Sequence, residues 1–500
     1  MQRSSSSGIT LRWRRTKIIA TIGPGTDSRQ KIDALIKAGV NVFRLNMSHG
    51  DHDYHRKVFG RIRQCANRNA MPIAILMDLC GPKIRVGKFR HGAIELRPRQ
   101  EVVISCAAGV GDDGLIISQY RQLYKDVKPG ERILLDDGNM ECRVLRIEGR
   151  KVIAKVVYGG LLNNNKGMNL PDSTVSVSSF TAKDKLDVRL AMELCADFVA
   201  LSFVRDVSDI DGLARYMKRY GKDKAQVIPI IAKIEKPEAI DNIEKIISSA
   251  YGIMIARGDL GIELPAEEVP LIQRRLISLA RNNHCPVIVA TQMMESMITN
   301  SRPTRAEVGD VANAALTSAD AVMLSAETAI GRYPIKAVKM MDRILREIER
   351  EQWQQGGFSD DLDACSQSAS GPSARRAVAH AANALARELK LQGILVPTHS
   401  GHTAAVLAAC RPSSPLIGLA IIEETSRILA LHWGIIPCHI DEKEARNWKV
   451  LSNDISHRFR LTDTGNRVLL VSGFNDDEKH NEPLLKIMRV DRSPRRNSQT

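Results

Sequence analysis

The sequence predicts an α/β chain, a (β/α)8 TIM barrel with an inserted small β-barrel lid domain and a C-terminal α/β domain. Three observations predict it. Eight short apolar runs alternate with eight helix-like segments between residues 17 and 350. An interval of about 120 residues, between 78 and 198, breaks that rhythm with β-type patterns. Beyond a polar stretch after residue 350, a second and shorter α/β alternation begins.

The apolar runs are 17–23, 41–46, 73–78, 198–203, 227–235, 252–257, 287–292 and 321–325. Runs of this length, rich in Ile and Val, read as strands buried on both faces, hence a parallel sheet. Helices are expected at about 28–38, 52–69, 181–195, 207–219, 237–249, 266–283, 304–317 and 334–350. Asp27 and Ser28 precede the first, Pro265 opens the sixth and Pro334 the last, as helix starts prefer. Eight of each suggest a closed barrel; a doubly wound open sheet would show the same alternation. The barrel is expected to comprise 16–82 and 178–350. Within 83–177 the runs IELRPRQEVVISC, RILLDDGNMECRVLRIEG and KVIAKVVYGG read as strands, with Asp137-Gly138 as a hairpin turn. An insertion after the third strand lies at the catalytic face of a barrel and suits a lid. Residues 351–373 read as a linker and 374–490 as the C-terminal domain, with strands at 393–398, 415–420, 435–440 and 467–473.

Five hundred residues fit about three domains, and 43% hydrophobic with 26% charged residues excludes a disordered or collagen-like chain. No run of eighteen apolar residues occurs, so no transmembrane helix is expected. The nine cysteines include no Cys-x-x-Cys pair, which argues against a zinc site and for a reducing compartment, the cytoplasm. Of the net charge of +15, eight charges lie in two short ends, 1–17 and 489–500. The ends, 1–15 and 491–500, read as loose basic tails rather than a transit peptide or a secretory signal. Aromatic residues are only 4%, a poor stacking surface, so no nucleic-acid partner is expected.

Polar residues at the C-terminal ends of barrel strands are the catalytic candidates. Strand two ends with Arg44, Asn46, Ser48 and His49; strand three with Asp78, followed by Lys83 and Arg85. Strand five ends with Lys233 and Glu235, strand six with Arg257-Gly258-Asp259, strand seven with Thr291 and strand eight with Ser325. Two carboxylates without His or Cys, Glu235 and Asp259, suit a hard cation such as Mg²⁺; they suit ion pairs with Lys233 and Arg257 equally well. Arg44, Arg85 and Lys233 converge as cations fit for a phosphoryl group, or for salt bridges along the rim. Free amides at Gly258 and Asp259 could hold an anion, or form only a tight turn. Thr291 could relay a proton or be structural, and His49 could be a loop cap. A metal-assisted enzyme acting on phosphorylated or carboxylated anions follows; a metal-dependent lyase is the alternative class.

The run IPIIAKIEKPEAI (228–240), which carries Lys233 and Glu235, resembles the active-site motif of pyruvate kinases. So do TKIIATIGP (16–24), NVFRLNMSHG (41–50), GPKIRVG (81–87), NNKGMNLP (164–171), IARGDLGIE (255–263), ATQMMESMI (290–298) and DAVMLSAET (320–328), in the family's order. The resemblance implies transfer of the phosphoryl group of phosphoenolpyruvate to ADP, giving pyruvate and ATP. It implies Mg²⁺, or Mn²⁺, held by Glu235 and Asp259. Lys233 and Arg44 would meet the phosphoryl group, the Gly258 and Asp259 amides the substrate carboxylate, and Thr291 with Ser325 the proton that reaches the enolate. Asn46, His49, Arg85 and Lys166 would serve the nucleotide. Asn46, Ser48, Asp78 and the Leu79 carbonyl match the family's monovalent-cation ligands.

Two departures shape further expectations. Lys83 stands where many K⁺-requiring members carry Glu, so its ammonium could replace K⁺, and K⁺ is expected to be dispensable. The loop with Thr398, Ser400, Gly401 and Thr403 resembles the family's effector phosphate loop, but His402 replaces a frequent Arg and 472–490 lacks the usual glycine-rich loop. A phosphorylated effector is the expectation there. The family also implies a homotetramer and no membrane partner.

Overall fold

The computed structural model describes residues 13–173, 175–221, 227–355, 357–358, 374–461, 467–473 and 482–491. All eight apolar runs form strands: Lys17–Ile22, Val42–Asn46, Ala74–Asp78, Phe198–Leu201, Ile230–Ile234, Gly252–Ala256, Val287–Ala290 and Ala321–Leu324. Each pairs in parallel with its predecessor, and the first also pairs with the last, so the sheet closes. Closure excludes the open sheet. Alternation along the strands divides the core: Ile19, Val42, Ala74, Phe198, Ile231, Met254, Ile288 and Ala321 fill the barrel interior, while Ile18, Phe43, Ile75, Val199 and their neighbours pack under the helices. The charged side chains of the strand ends reach the lumen where a cavity replaces apolar packing; at the opposite end Lys17, on the face of Ile19, is buried and donates to the Ile435 carbonyl.

Helix starts follow local chemistry. The Ser28 hydroxyl accepts from the Lys31 amide before helix Arg29–Ala38, and the Asp51 carboxylate from the Tyr54 amide before helix His52–Arg68. Thr181 with Asp184, and Thr304 with Glu307, form capping boxes. Three expectations need correction. The sixth helix, Val269–Asn282, opens on Pro270 rather than Pro265. The segment 237–249 breaks at Asn242 into Pro237–Asp241 and Ile243–Ser249. The last barrel helix continues as Pro334–Gln354, past the expected linker boundary, and its buried Glu349 accepts from the Arg15 and Thr16 amides.

The insert has its own apolar core. Beside its six-stranded sheet lie a two-stranded antiparallel one, Gly160–Asn163 with Ala93–Leu96, and isolated bridges such as Arg85 to Gly167 and Val86 to Ser118. The expected small barrel is therefore joined by bridges rather than by a continuous ladder. Strands Arg132–Leu135 and Met140–Glu148 form the expected hairpin. At its tip Asp137 and Gly138 have φ of 55° and 84°, the left-handed pair a tight hairpin requires.

The C-terminal domain holds a five-stranded sheet in the order Ile435–His439, Leu416–Ala420, Ile394–Thr398, Arg467–Ser472, Leu484–Arg489, the last strand antiparallel. That edge strand and helix Trp448–Arg458 were not expected. Ala430 and Leu431 of this domain join the core inside the barrel, closing the end opposite the cavity. The expected N-terminal tail, 1–15, runs at least two residues too far. Arg14 bonds to Asp342, Asn41 and the Gly39 carbonyl, and Arg15 donates to the Ser413 carbonyl. Arg15 and the following Lys17 are only 2% and 4% exposed. These cations are buried in the seam between barrel and C-terminal domain. Residues 1–12 and 492–500, which carry the other basic residues of both ends except Arg489, and most of the expected linker (359–373), lie outside the described residues.

Candidate active site

The strand ends converge on a cavity of about 780 Å³ lined by Arg44, Asn46, Ser48, His49, Asp78, Leu79, Lys83, Lys233, Glu235, Asp259, Thr291 and Ser325. Its charged centre is a ladder of alternating signs. The Lys233 ammonium lies 2.8 Å from Glu235 Oε1 and 3.4 Å from Asp78 Oδ1. Arg44 Nε donates to Asp78 Oδ2 at 2.7 Å and its Nη1 to the Thr21 hydroxyl at 3.1 Å. Burial opposes the charge of Lys233, but Asp78 and Glu235 outweigh it and raise the lysine above its usual range. Burial likewise opposes ionisation of Asp78, yet Lys233 and Arg44 hold its carboxyl below the usual range. The lysine is therefore a fixed positive charge facing the cavity.

Two supports were not anticipated. Lys233 Nζ also donates to the Ser202 hydroxyl at 2.8 Å, which donates in turn to the Leu79 carbonyl at 2.7 Å. The Phe203 amide donates to Glu235 Oε2 at 2.8 Å. Both lie at the end of the fourth strand, where the polar-residue rule reaches Ser202 but not a backbone amide such as that of Phe203.

Asp259 lies on helix Arg257–Glu263, which follows the sixth strand directly. Burial, then the charge of Glu235, pushes its carboxyl up to about 6. That conflict between two carboxylates is what a divalent cation relieves, so the residues present fit the expected ion. Arg257 does not join them. It turns to the carbonyls of Thr291 and Gln292, at 2.9 and 3.0 Å, and to Asp310 at 3.4 Å. Those carbonyls belong to residues with φ of 66° and 52°, a conformation costly for non-glycine residues. The Gly258 amide donates to the Thr291 hydroxyl at 2.7 Å; an arriving carboxylate would displace that hydroxyl. The Glu327 carboxylate accepts from the amides of Ser325 and Met294, at 2.7 and 3.2 Å, and so ties the eighth strand end to the loop after the seventh.

A second cleft, of about 310 Å³, opens between barrel and insert. It is lined by Lys83, Arg85, Lys166, Asp137 and Lys236, and shares Lys83, Phe203 and Asp259 with the first cavity. Lys166 pairs with Asp136 at 2.7 Å, and Arg85 donates to the Asn165 carbonyl at 3.0 Å. No ion pair holds Lys83 among the described residues. His49 faces the first cavity and is biased toward its neutral form by burial and by Lys83, Arg85 and Arg44. The first cavity also reaches Pro24, Tyr54 and Ile330, an apolar shelf that no charge pattern announces.

Three of the four expected monovalent-cation donors already accept hydrogen bonds, though Asp78 Oδ1 accepts none. Asp78 holds Arg44, the Leu79 carbonyl accepts from Ser202, and Asn46 Oδ1 accepts from the Ser48 amide at 3.1 Å. The loop of Thr398, Ser400, Gly401 and Thr403 belongs to the separate C-terminal sheet, outside both cavities. There the Thr398 hydroxyl accepts from the Gly401 amide at 2.9 Å, and Thr403 is buried at the start of helix His402–Ala409.

A barrel whose strand ends gather convergent cations beside a carboxylate pair, under an inserted lid, defines an enzyme built for phosphorylated anions. The comparisons narrow the class. Residues 13–338 match the family model for the pyruvate kinase barrel domain, and residues 376–488 match that for the pyruvate kinase alpha/beta domain. The chain is 43% identical over 422 residues to the pyruvate kinase of Mycobacterium intracellulare, covering 84% of this chain and 86% of that one. It is 40% identical over 477 residues to that of Geobacillus stearothermophilus, covering 95% and 80%. A pyruvate kinase structure from Cryptosporidium parvum superimposes with a TM-score of 0.86 at 33% identity, over 95% of this chain and 96% of that one. The chain belongs to the pyruvate kinase family.

Proposed function

We propose that the chain transfers the phosphoryl group of phosphoenolpyruvate to ADP, giving pyruvate and ATP. The observation that carries this reading is Lys233, held as a permanent cation between Asp78 and Glu235 beside Arg44 at the mouth of the larger cavity. A β-phosphate oxygen of ADP attacks phosphorus. The bond from phosphorus to the enol oxygen breaks, its electron pair stays on that oxygen, and the resulting enolate gains a proton at carbon. Lys233 and Arg44 face the charge spread over the moving phosphoryl oxygens, where fixed cations act most strongly. Thr291 and Ser325 line the same cavity and deliver the proton through water.

Glu235 and Asp259 would hold Mg²⁺ or Mn²⁺; bound there, such an ion neutralises charge on the substrate's oxygens. The nucleotide phosphates lie along Arg85 and Lys166, and the shelf of Pro24, Tyr54 and Ile330 offers its base an apolar surface. Asn46 and His49 line that cavity between the two. Lys83, without an ion-pair partner among the described residues, takes the place of K⁺, which is not required. The loop at Thr398–Thr403 takes a phosphorylated effector. The enzyme works as a homotetramer in the cytoplasm; no described helix is long and apolar enough to cross a membrane. Pyruvate formation from phosphoenolpyruvate, followed with and without ADP, tests the reading. Strict dependence on ADP supports it, and ADP-independent pyruvate release would favour a lyase or phosphatase.

A further inference from the structure

The cleft between barrel and insert is held by a contact that the chemistry above does not use. Glu263 ends the short helix Arg257–Glu263, and its side chain is 1% exposed. One of its oxygens, Oε1, accepts from two directions. Lys236 Nζ, from the barrel loop after Glu235, lies 2.7 Å away. Asn169 Nδ2, from strand Met168–Asn169 of the insert, lies 3.1 Å away. The other oxygen, Oε2, is buried without a hydrogen-bond partner, so the acid is committed to this double contact.

Three neighbours give the contact functional weight. Asn169 lies three residues beyond Lys166 on the insert's return path, and both line the cleft with Lys236. Gly138, at the tip of the insert's hairpin, lies against Ile262, close enough that a Cβ there would sit 3.7 Å from it. The hairpin also brings Asp137 to the cleft that Asp259 lines. The insert thus rests on the end of the helix that carries Asp259, and Glu263 is the buried polar fastening at that point. A carboxylate shared by a cation and an amide is a strong, directional contact in a buried setting.

We propose that Glu263 is a positioning residue for the nucleotide half of the reaction: by joining Asn169 of the insert to Lys236 of the barrel, it sets the insert's return strand, and with it Lys166, over the cleft. Resting on the phosphoryl-transfer reading, this assigns Glu263 no contact with phosphoenolpyruvate or with the reacting phosphorus. Its loss loosens the lid, and the effect falls on the substrate that the lid must grip.

The test is initial-rate kinetics of the full-length wild type, Glu263→Gln, Asn169→Ala and the double variant, with ADP and phosphoenolpyruvate varied separately. Glu263→Gln removes the charge that holds Lys236; Asn169→Ala removes the insert's side of the same fastening and keeps the test open if the first variant folds poorly. The expected result is a rise of about tenfold in KM for ADP, the loss of one modest interaction of about 1.4 kcal/mol. KM for phosphoenolpyruvate stays within about twofold, and the double variant is no worse than the worse single one, as for residues acting through one contact. A parallel rise in both KM values, an unchanged KM for ADP in both single variants, or fully additive effects would overturn the proposal. Failure of the wild type to make ATP at all would instead refute the phosphoryl-transfer reading.

Discussion

Replacing Lys233 with Met tests two consequences of one geometry. Lys233 is 2.8 Å from Glu235 and 3.4 Å from Asp78, and both acids are almost wholly buried. Removing the ammonium takes the fixed charge from the transition state, a loss of about 100- to 1000-fold in kcat by analogy with deleting one preorganised donor. It also leaves two buried carboxylates short of a counter-charge. Deleting one partner of a buried pair costs about 3–5 kcal/mol, and Arg44 still compensates Asp78, so a value near 3 kcal/mol is expected. The assays are steady-state turnover and urea unfolding of the divalent-free protein at pH 7. Lys233→Met should lose both activity and stability, and Lys233→Met combined with Glu235→Gln should regain part of the stability while remaining inactive. A Lys233→Met protein as stable as the wild type, or one retaining more than about a tenth of its turnover, would refute the reasoning.

Further predictions follow from neighbouring groups. Asp259, pushed up to about 6 from an ordinary value near 3.8, binds a proton more readily in the folded state than in the unfolded one. The divalent-free protein should therefore lose stability as pH rises from about 4 to 6, by at most about 3 kcal/mol. Asp259→Asn should remove that dependence and stabilise the divalent-free protein at pH 7 while abolishing activity; a destabilised Asp259→Asn protein in thermal melts would contradict this. Turnover at saturating Mg²⁺ should be unaffected by omitting K⁺, whereas Lys83→Glu should make it K⁺-dependent; nearly complete loss of wild-type activity without K⁺ would sink that assignment. Thr291→Ala frees the Gly258 amide and should lower kcat at least tenfold, roughly, while KM for phosphoenolpyruvate changes little. An unchanged kcat would remove Thr291 from proton delivery.

Strands were the most legible part of the chain, because two-sided burial leaves runs such as IIA (18–20) and VIVA (287–290) with nothing polar to confuse the pattern. The chemistry was legible where i and i+2 residues share a strand face, as with Lys233 and Glu235. What escaped had physical reasons. Ser202 and Phe203 act through a hydroxyl and a backbone amide, groups with no charge signature. Glu263 and Asn169 meet only because the insert folds back onto the barrel. Arg14 and Arg15 look like a solvated tail until the fold covers them, and burial drives the neighbouring Lys17, the first strand residue, down to about 7. Lys233, from sequence a cation for a phosphoryl group or a rim salt bridge, also carries stability once its two buried partners are in view.

The most direct measurement of the central claim follows phosphorus itself. Purified protein, phosphoenolpyruvate, ADP and Mg²⁺ are monitored by phosphorus NMR alongside pyruvate. Loss of the phosphoenolpyruvate signal should be matched one for one by the γ-phosphate of ATP and by pyruvate, and Lys233→Met should suppress all three. Appearance of free phosphate in place of ATP, or transfer that survives loss of Lys233, would contradict the account.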